Sequence, residues 1–240
     1  MVQRRILIIN PIVDGVLMDE DRDYFQQIAF AGTEIEVVSI KKGPKSIETF
    51  YDAQYAGPEI LRVIKDKSTE FDAFVINCFA DPALDAAREV TNKVVVGPGE
   101  AAMSLALHLG ATFAVISVLP NTSYWVRIQA RKLGVESRLA KAIGINTPVL
   151  ELYKNLDQVI NQIVDAAQQA VTSCEAEVII LGCTGMVQLA KMVRERLKVP
   201  VIEPAAAALK MAELLVDLNL SHYRGGGYLP AAPNKIIGYP

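Results

Sequence analysis

Residues 73–78 read AFVINC, and residues 177–183 read EVIILGC. Each is a brief apolar run, too short for a helix, that reaches a cysteine within two residues of its end. Runs without polar alternation predict strands buried on both faces of a parallel sheet. Amphipathic stretches follow, so each cysteine stands where a strand hands over to a helix. In an open α/β sheet that is the carboxyl edge, where reactive groups are displayed.

Working outward, strands are expected at 5–9, 34–38, 73–76 and 93–96, with helices at 19–31, 53–67, 84–89 and 100–110. The order then begins again. Strands are expected at 112–116, 177–181 and 199–202, with a weaker element at 137–143. Helices are expected at 124–133, 156–171, 187–197 and 205–218. The fold class is α/β: two pseudo-symmetric lobes, parallel sheets flanked by helices, and an active site in the cleft between them. The lobes are expected at 1–98 with 207–240, and at 99–206. Pro98 follows Cys78 by 20 positions and Pro204 follows Cys183 by 21. Small residues open both following helices, Ala101-Ala102 and Ala205 to Ala208. The echo is weak in identities and good in layout. The tail from Tyr223, with Gly225 to Gly227 in a row, favours neither helix nor strand. Its Tyr228, Ile236, Ile237 and Tyr239 are available to pack over a lobe or partner.

Composition narrows the function. The 240 residues carry 24 basic and 27 acidic side chains, a net charge of −3 without a basic patch, which argues against nucleic acid. No apolar stretch is long enough for a membrane span. MVQRRILIINP reads as a first strand rather than a signal peptide, so a cytoplasmic protein is expected. Three cysteines (Cys78, Cys174, Cys183) do not make a disulfide framework, and two histidines (His108, His222) supply no metal-ligand spacing. Neither Gly97-Pro98-Gly99 nor the later glycine run is a nucleotide fingerprint. No metal and no cofactor is expected.

Paired thiols suit one kind of chemistry. A thiol has an ordinary pKa of about 8.5, near enough to neutrality to serve as base or acid. One thiolate removes a proton from a carbon, and the opposite thiol returns one to the other face. Cys78 and Cys183 are therefore the candidate catalytic pair, with core packing as the alternative for each. Candidate substrate contacts are Asn10 and Pro11 after the first strand, Asn77 and Phe79 beside Cys78, and Ser117 and Thr122 at the matching opening. Thr184, Gly185 and Glu203 complete the set. Asn10 and Thr184 read equally well as caps, and Glu203 as a loop anchor. Asp81-Pro82 reads as a helix entry, His108 as a surface cap, and Cys174 as structural.

The segments around these cysteines resemble the aspartate/glutamate/hydantoin racemase superfamily, and within it the hydantoin and allantoin racemase branches. The resemblance rests on NCFADPALDAAR at 77–88, LGCTGM at 181–186, INP at 9–11 and VIEPAAA at 201–207. It implies a cofactor-independent racemase with Cys78 and Cys183 as acid and base, acting on a 5-substituted hydantoin or related cyclic ureide. It also implies a homo-oligomer. The chain departs from the branch at Ile12, where a polar donor is usual, at Asp14, which would repel a substrate carboxylate, and at Ala80 and Ala83, where glycines are usual. An amino-acid racemase, a related lyase or cis–trans isomerase, and a small-molecule binding protein are the competing readings.

Overall fold

The structure is a computed structural model that describes residues 3–13 and 18–232. The chain forms two compact units, Met1–Gly97 with Ala208–Pro240, and Pro98–Ala207.

The first unit contains β1 (Arg4–Asn10), α1 (Met18–Ile28), β2 (Thr33–Ser39), α2 (Phe50–Lys67), β3 (Ala73–Ile76), α3 (Leu84–Val90) and β4 (Val94–Val96). Its four strands are parallel in the order β2-β1-β3-β4. The central strands β1 and β3 are sealed on both faces, and this is why their sequences run apolar without alternation. Ile60 and Ile64 of α2 pack on Leu7, Ile9, Phe74 and Ile76. Helix α2 starts three residues before its expected position. The cause is local: the Thr49 hydroxyl accepts from the Asp52 amide at 3.2 Å, and the Thr49 amide donates to the Asp52 carboxylate at 2.8 Å. This reciprocal cap satisfies the first amides of the helix.

The second unit repeats the plan. It holds α4 (Pro98–Ala106), β5 (Phe113–Ser117), α5 (Thr122–Lys132), β6 (Leu139–Gly144), α6 (Leu156–Cys174), β7 (Val178–Leu181), α7 (Ala190–Arg196) and β8 (Val201–Ile202). The strands are again parallel, ordered β6-β5-β7-β8. The weak element near 137–143 is thus the edge strand β6. Its half-exposed pattern accounts for the weak signal. The repeat extends to side chains. The Arg88 guanidinium of α3 donates to the Val95 carbonyl at 3.3 Å, and that of Arg194 in α7 donates to the Val201 carbonyl at 3.1 Å. In both units an arginine seven residues upstream thereby ties the short helix that precedes the last strand to that strand.

Helix α8 (Pro204–Asp217) begins in the second unit and, from Ala208, belongs to the first. A buried polar cluster docks it there. The Glu213 carboxylate accepts from the Phe30 amide and the Thr33 hydroxyl, each at 2.7 Å, and from the Lys210 ammonium at 2.9 Å. Arg4 donates through Nε and Nη2 to the two oxygens of Asp217, which holds that carboxyl below its usual range.

The tail is pinned along the outer edge of the first sheet. The Val95 amide donates to His222 Nε2 at 2.9 Å, the Ala231 amide donates to the Glu89 carbonyl at 3.1 Å, and Arg88 donates to the Tyr228 hydroxyl at 3.0 Å. A short edge strand is thereby covered rather than left open to pairing. Ile236, Ile237 and Tyr239 lie outside the described residues. Among the described residues no helix is long and apolar enough to cross a membrane.

Candidate active site

In each sheet the strand order reverses direction between the first and third strands of the unit. Ligand sites in open α/β sheets gather at the carboxyl ends that flank such a reversal. In the first unit those ends are Asn10 of β1 and the Asn77-Cys78 step after β3. In the second they are Ser117 of β5 and the Gly182-Cys183 step after β7. The two cysteines therefore occupy equivalent positions in a repeated topology.

In the first half-site, the Asn77 amide donates to the Ile9 carbonyl at 2.8 Å and the Cys78 amide to the Ile76 carbonyl at 2.7 Å. Cys78 is half-buried. The Asn77 side-chain nitrogen donates to Asn10 Oδ1 at 2.8 Å, and Asn10 Nδ2 donates to Asp21 Oδ2 at 2.8 Å. Asn10 is buried, so both ends of its amide are spent within the protein. Pro11 and Phe79 are buried as well. After the cysteine the chain turns through two left-handed residues, Asp81 (φ 49°) and Ala83 (φ 57°). Such angles favour glycine, so Ala83 holds a backbone conformation that alanine rarely adopts. Asp81 packs closely against Gly97, where an added Cβ would come within 2.4 Å of Asp81 Oδ1. Ile12 and Ala80 are half-buried, and Asp14 lies outside the described residues.

In the second half-site Cys183 has an extended backbone (φ −155°, ψ 130°) and opens a 3-10 helix at Thr184–Leu189. The expected helix over 187–197 is therefore a tight turn followed by α7. The Cys183 carbonyl accepts from the Met186 amide at 3.1 Å. Gly185 lies beside the thiol: a Cβ there would stand 3.4 Å from the Cys183 sulfur, in ordinary van der Waals contact. The Tyr153 hydroxyl donates to the Gly185 carbonyl at 2.6 Å and steadies the turn. Ser117, buried, donates to the Gly182 carbonyl at 3.0 Å. The Thr122 hydroxyl is tied back to the Leu119 carbonyl of its own loop. Glu203 accepts from the Ala205 and Ala206 amides at 2.8 and 2.7 Å, capping the start of α8. The anchoring alternative thus has direct geometry behind it.

Sequence reasoning missed Asp21 and Tyr153. Asp21 sat inside an expected amphipathic helix and Tyr153 in a connection, and neither position carries a motif. None of the three cysteines is in a disulfide, and Cys174 closes α6. Among the described residues no group of three or more His, Cys, Asp or Glu is placed to hold a metal ion.

Gly182 provides a test of how tightly the second half-site is built. A Cβ there would lie 2.7 Å from the Ser117 Cβ and 2.8 Å from Val115 Cγ1. Gly182→Ala is expected to destabilise the protein by about 1–3 kcal/mol, the usual cost of overpacking. Urea denaturation measures the loss, and an unchanged midpoint would contradict the packing described.

Residues 6–212 match the family described as Asp/Glu/Hydantoin racemase. The chain is 35% identical over 226 residues to a hydantoin racemase of Paenarthrobacter aurescens, covering 93% of this chain and 96% of that one. It superposes on an allantoin racemase from Klebsiella pneumoniae with a TM-score of 0.92 and 32% identity, covering 98% and 97% of the two chains. A glutamate racemase from Francisella tularensis shares the fold, with a TM-score of 0.62 at 16% identity and coverage of 92% and 84%.

Proposed function

Because the chain belongs to the Asp/Glu/hydantoin racemase family, we propose that it racemises a 5-substituted hydantoin or a related cyclic ureide, such as allantoin, by proton transfer between two thiols. The observation that carries this reading is the repeat itself: Cys78 after β3 and Cys183 after β7, each at the reversal point of an equivalent sheet. Similarity to hydantoin and allantoin racemases over nearly the whole chain supports the substrate class.

In this mechanism the Cys78 or Cys183 thiolate removes the hydrogen on C5 of the ring. The electron pair spreads onto the adjacent C4 carbonyl as an enolate. The opposite thiol then protonates C5 on its other face, and the ring leaves with inverted configuration. The second cysteine is now the thiolate, so the opposite enantiomer is processed with roles exchanged. Holding both thiols against one carbon replaces two encounters from solution, an advantage worth several powers of ten. Hydrogen-bond donors at the ring carbonyls lower the enolate further. The ring brings its own acidic C–H, so the protein has to supply only base, acid and position.

A polarimetric panel tests the assignment. Enantiopure 5-substituted hydantoins, allantoin, aspartate and glutamate are each incubated with the protein. Loss of rotation with a cyclic ureide, at unchanged mass, is the expected result. Loss with aspartate or glutamate alone would replace the substrate class. Release of carbon dioxide or a change in mass would replace the reaction.

A further inference from the structure

The two asparagines at the first half-site do not sit there as independent groups. A carboxylate can only accept hydrogen bonds, so Asp21 compels Asn10 to turn its nitrogen toward it. The 2.8 Å contact between Asn10 Nδ2 and Asp21 Oδ2 obeys this rule. Asn10 must then present its oxygen on the other side, and only the nitrogen of Asn77 can complete that contact, again at 2.8 Å. One charge on α1 thereby sets the orientation of two amides in series. The last of them belongs to the residue that precedes Cys78 in the chain. Burial of Asn10 raises the cost of breaking the series, since its amide has no ready exchange with water.

We propose that Asp21 is a positioning residue for the Cys78 half-site, acting through Asn10 and Asn77. Its role in the reaction is indirect. Its role is to hold the Asn77-Cys78 step in one arrangement, so that the sulfur meets the ring carbon at a constant distance. Asn10 is in this account the middle link of the series rather than a substrate contact. The second half-site is built differently. There the equivalent strand ends are joined by Ser117 donating to the Gly182 carbonyl, a hydroxyl-to-backbone contact rather than a series of amides. Loss of Asp21 must therefore slow the proton transfers made at Cys78, as base for one enantiomer and as acid for the other, and leave those made at Cys183 unchanged. The proposal rests on the two-thiol racemase reading above.

The experiment compares wild type with Asp21→Ala and Asp21→Asn, using the ring substrate that the polarimetric panel identifies. Asp21→Ala is expected to lower kcat about tenfold or more with KM nearly unchanged, the usual consequence of misplacing a reacting group by a fraction of an ångström. Asp21→Asn keeps an oxygen able to accept from Asn10 and should recover most of the rate. The decisive readout uses substrate deuterated at C5. In Asp21→Ala the isotope effect should rise for the enantiomer that Cys78 deprotonates and not for the other. A general loss of folding would not separate the enantiomers. Wild-type rates in Asp21→Ala, or isotope effects that move alike for both enantiomers, would overturn the proposal while leaving the racemase reading intact. A wild type silent toward every ring compound would overturn that reading, and the proposal with it.

Discussion

Cys78→Ser is expected to reduce kcat for racemisation by about a thousandfold or more, and Cys183→Ser to do the same. A hydroxyl is nearly the size of a thiol but stays protonated across the pH range in which proteins survive. Serine therefore keeps the shape of the half-site and removes its base. Each enantiomer needs one cysteine as base and the other as acid, so either substitution stops both directions. The double variant should be no slower than the slower single one, because two groups that act as a unit do not lose their contributions independently. Cys174→Ser is the control. Cys174 closes α6, and its replacement should leave turnover unchanged. A Cys78→Ser enzyme with more than about a tenth of wild-type kcat would exclude this thiol from the general acid/base role.

The largest expected effect on stability comes from Glu213→Ala. Glu213 is fully buried, and its carboxylate takes hydrogen bonds from the Phe30 amide, the Thr33 hydroxyl and the Lys210 ammonium. Alanine leaves those donors facing one another around a void. The cost is about 3–5 kcal/mol, as for other buried charged groups that lose their partner. For a chain of this size that corresponds to a fall in Tm of roughly 6–20 °C. Glu213→Gln should cost less, since its remaining oxygen still accepts, although its new N–H₂ meets donors. Calorimetry on the three proteins checks the order. A Glu213→Ala melting temperature equal to wild type would mean that this carboxylate contributes nothing to holding α8.

Much of this molecule is legible in its sequence because the signals involved are local. Uninterrupted apolar runs mark strands that are covered on both sides, as at Ile6–Ile9 and Val178–Leu181. The cysteines stand out because they end two such runs in the same relative place. The start of α2 was also locally encoded, in Thr49 and Asp52, but this cap lies just outside the amphipathic stretch by which a helix is first noticed. Pairing over distance is harder to read. Nothing in the spacing of Asn10, Asp21 and Asn77 says that their side chains form a series, because the parallel crossover that unites them is a property of the sheet. Glu203 shows a different limit. A carboxylate after a strand at the sheet's carboxyl edge fits a ligand and a helix start equally well, since both offer N–H groups. The structure gives its oxygens to the amides of α8. The 3-10 turn at Thr184–Leu189 overlaps the helix expected over 187–197 in its last three residues, because Val187 and Leu189 fit the apolar pattern of either helix type.

The central claim is that two different thiols serve the two faces of one carbon, and the isotopic fate of that carbon in heavy water tests it most directly. Starting from one enantiomer in D₂O and sampling early, the inverted product should carry deuterium at C5 while the unreacted substrate keeps its protium, because the base that took the proton is not the acid that replaces it. Deuterium appearing in recovered substrate as fast as in product would mean that a single exchangeable base works on both faces, and the two-cysteine account would be wrong.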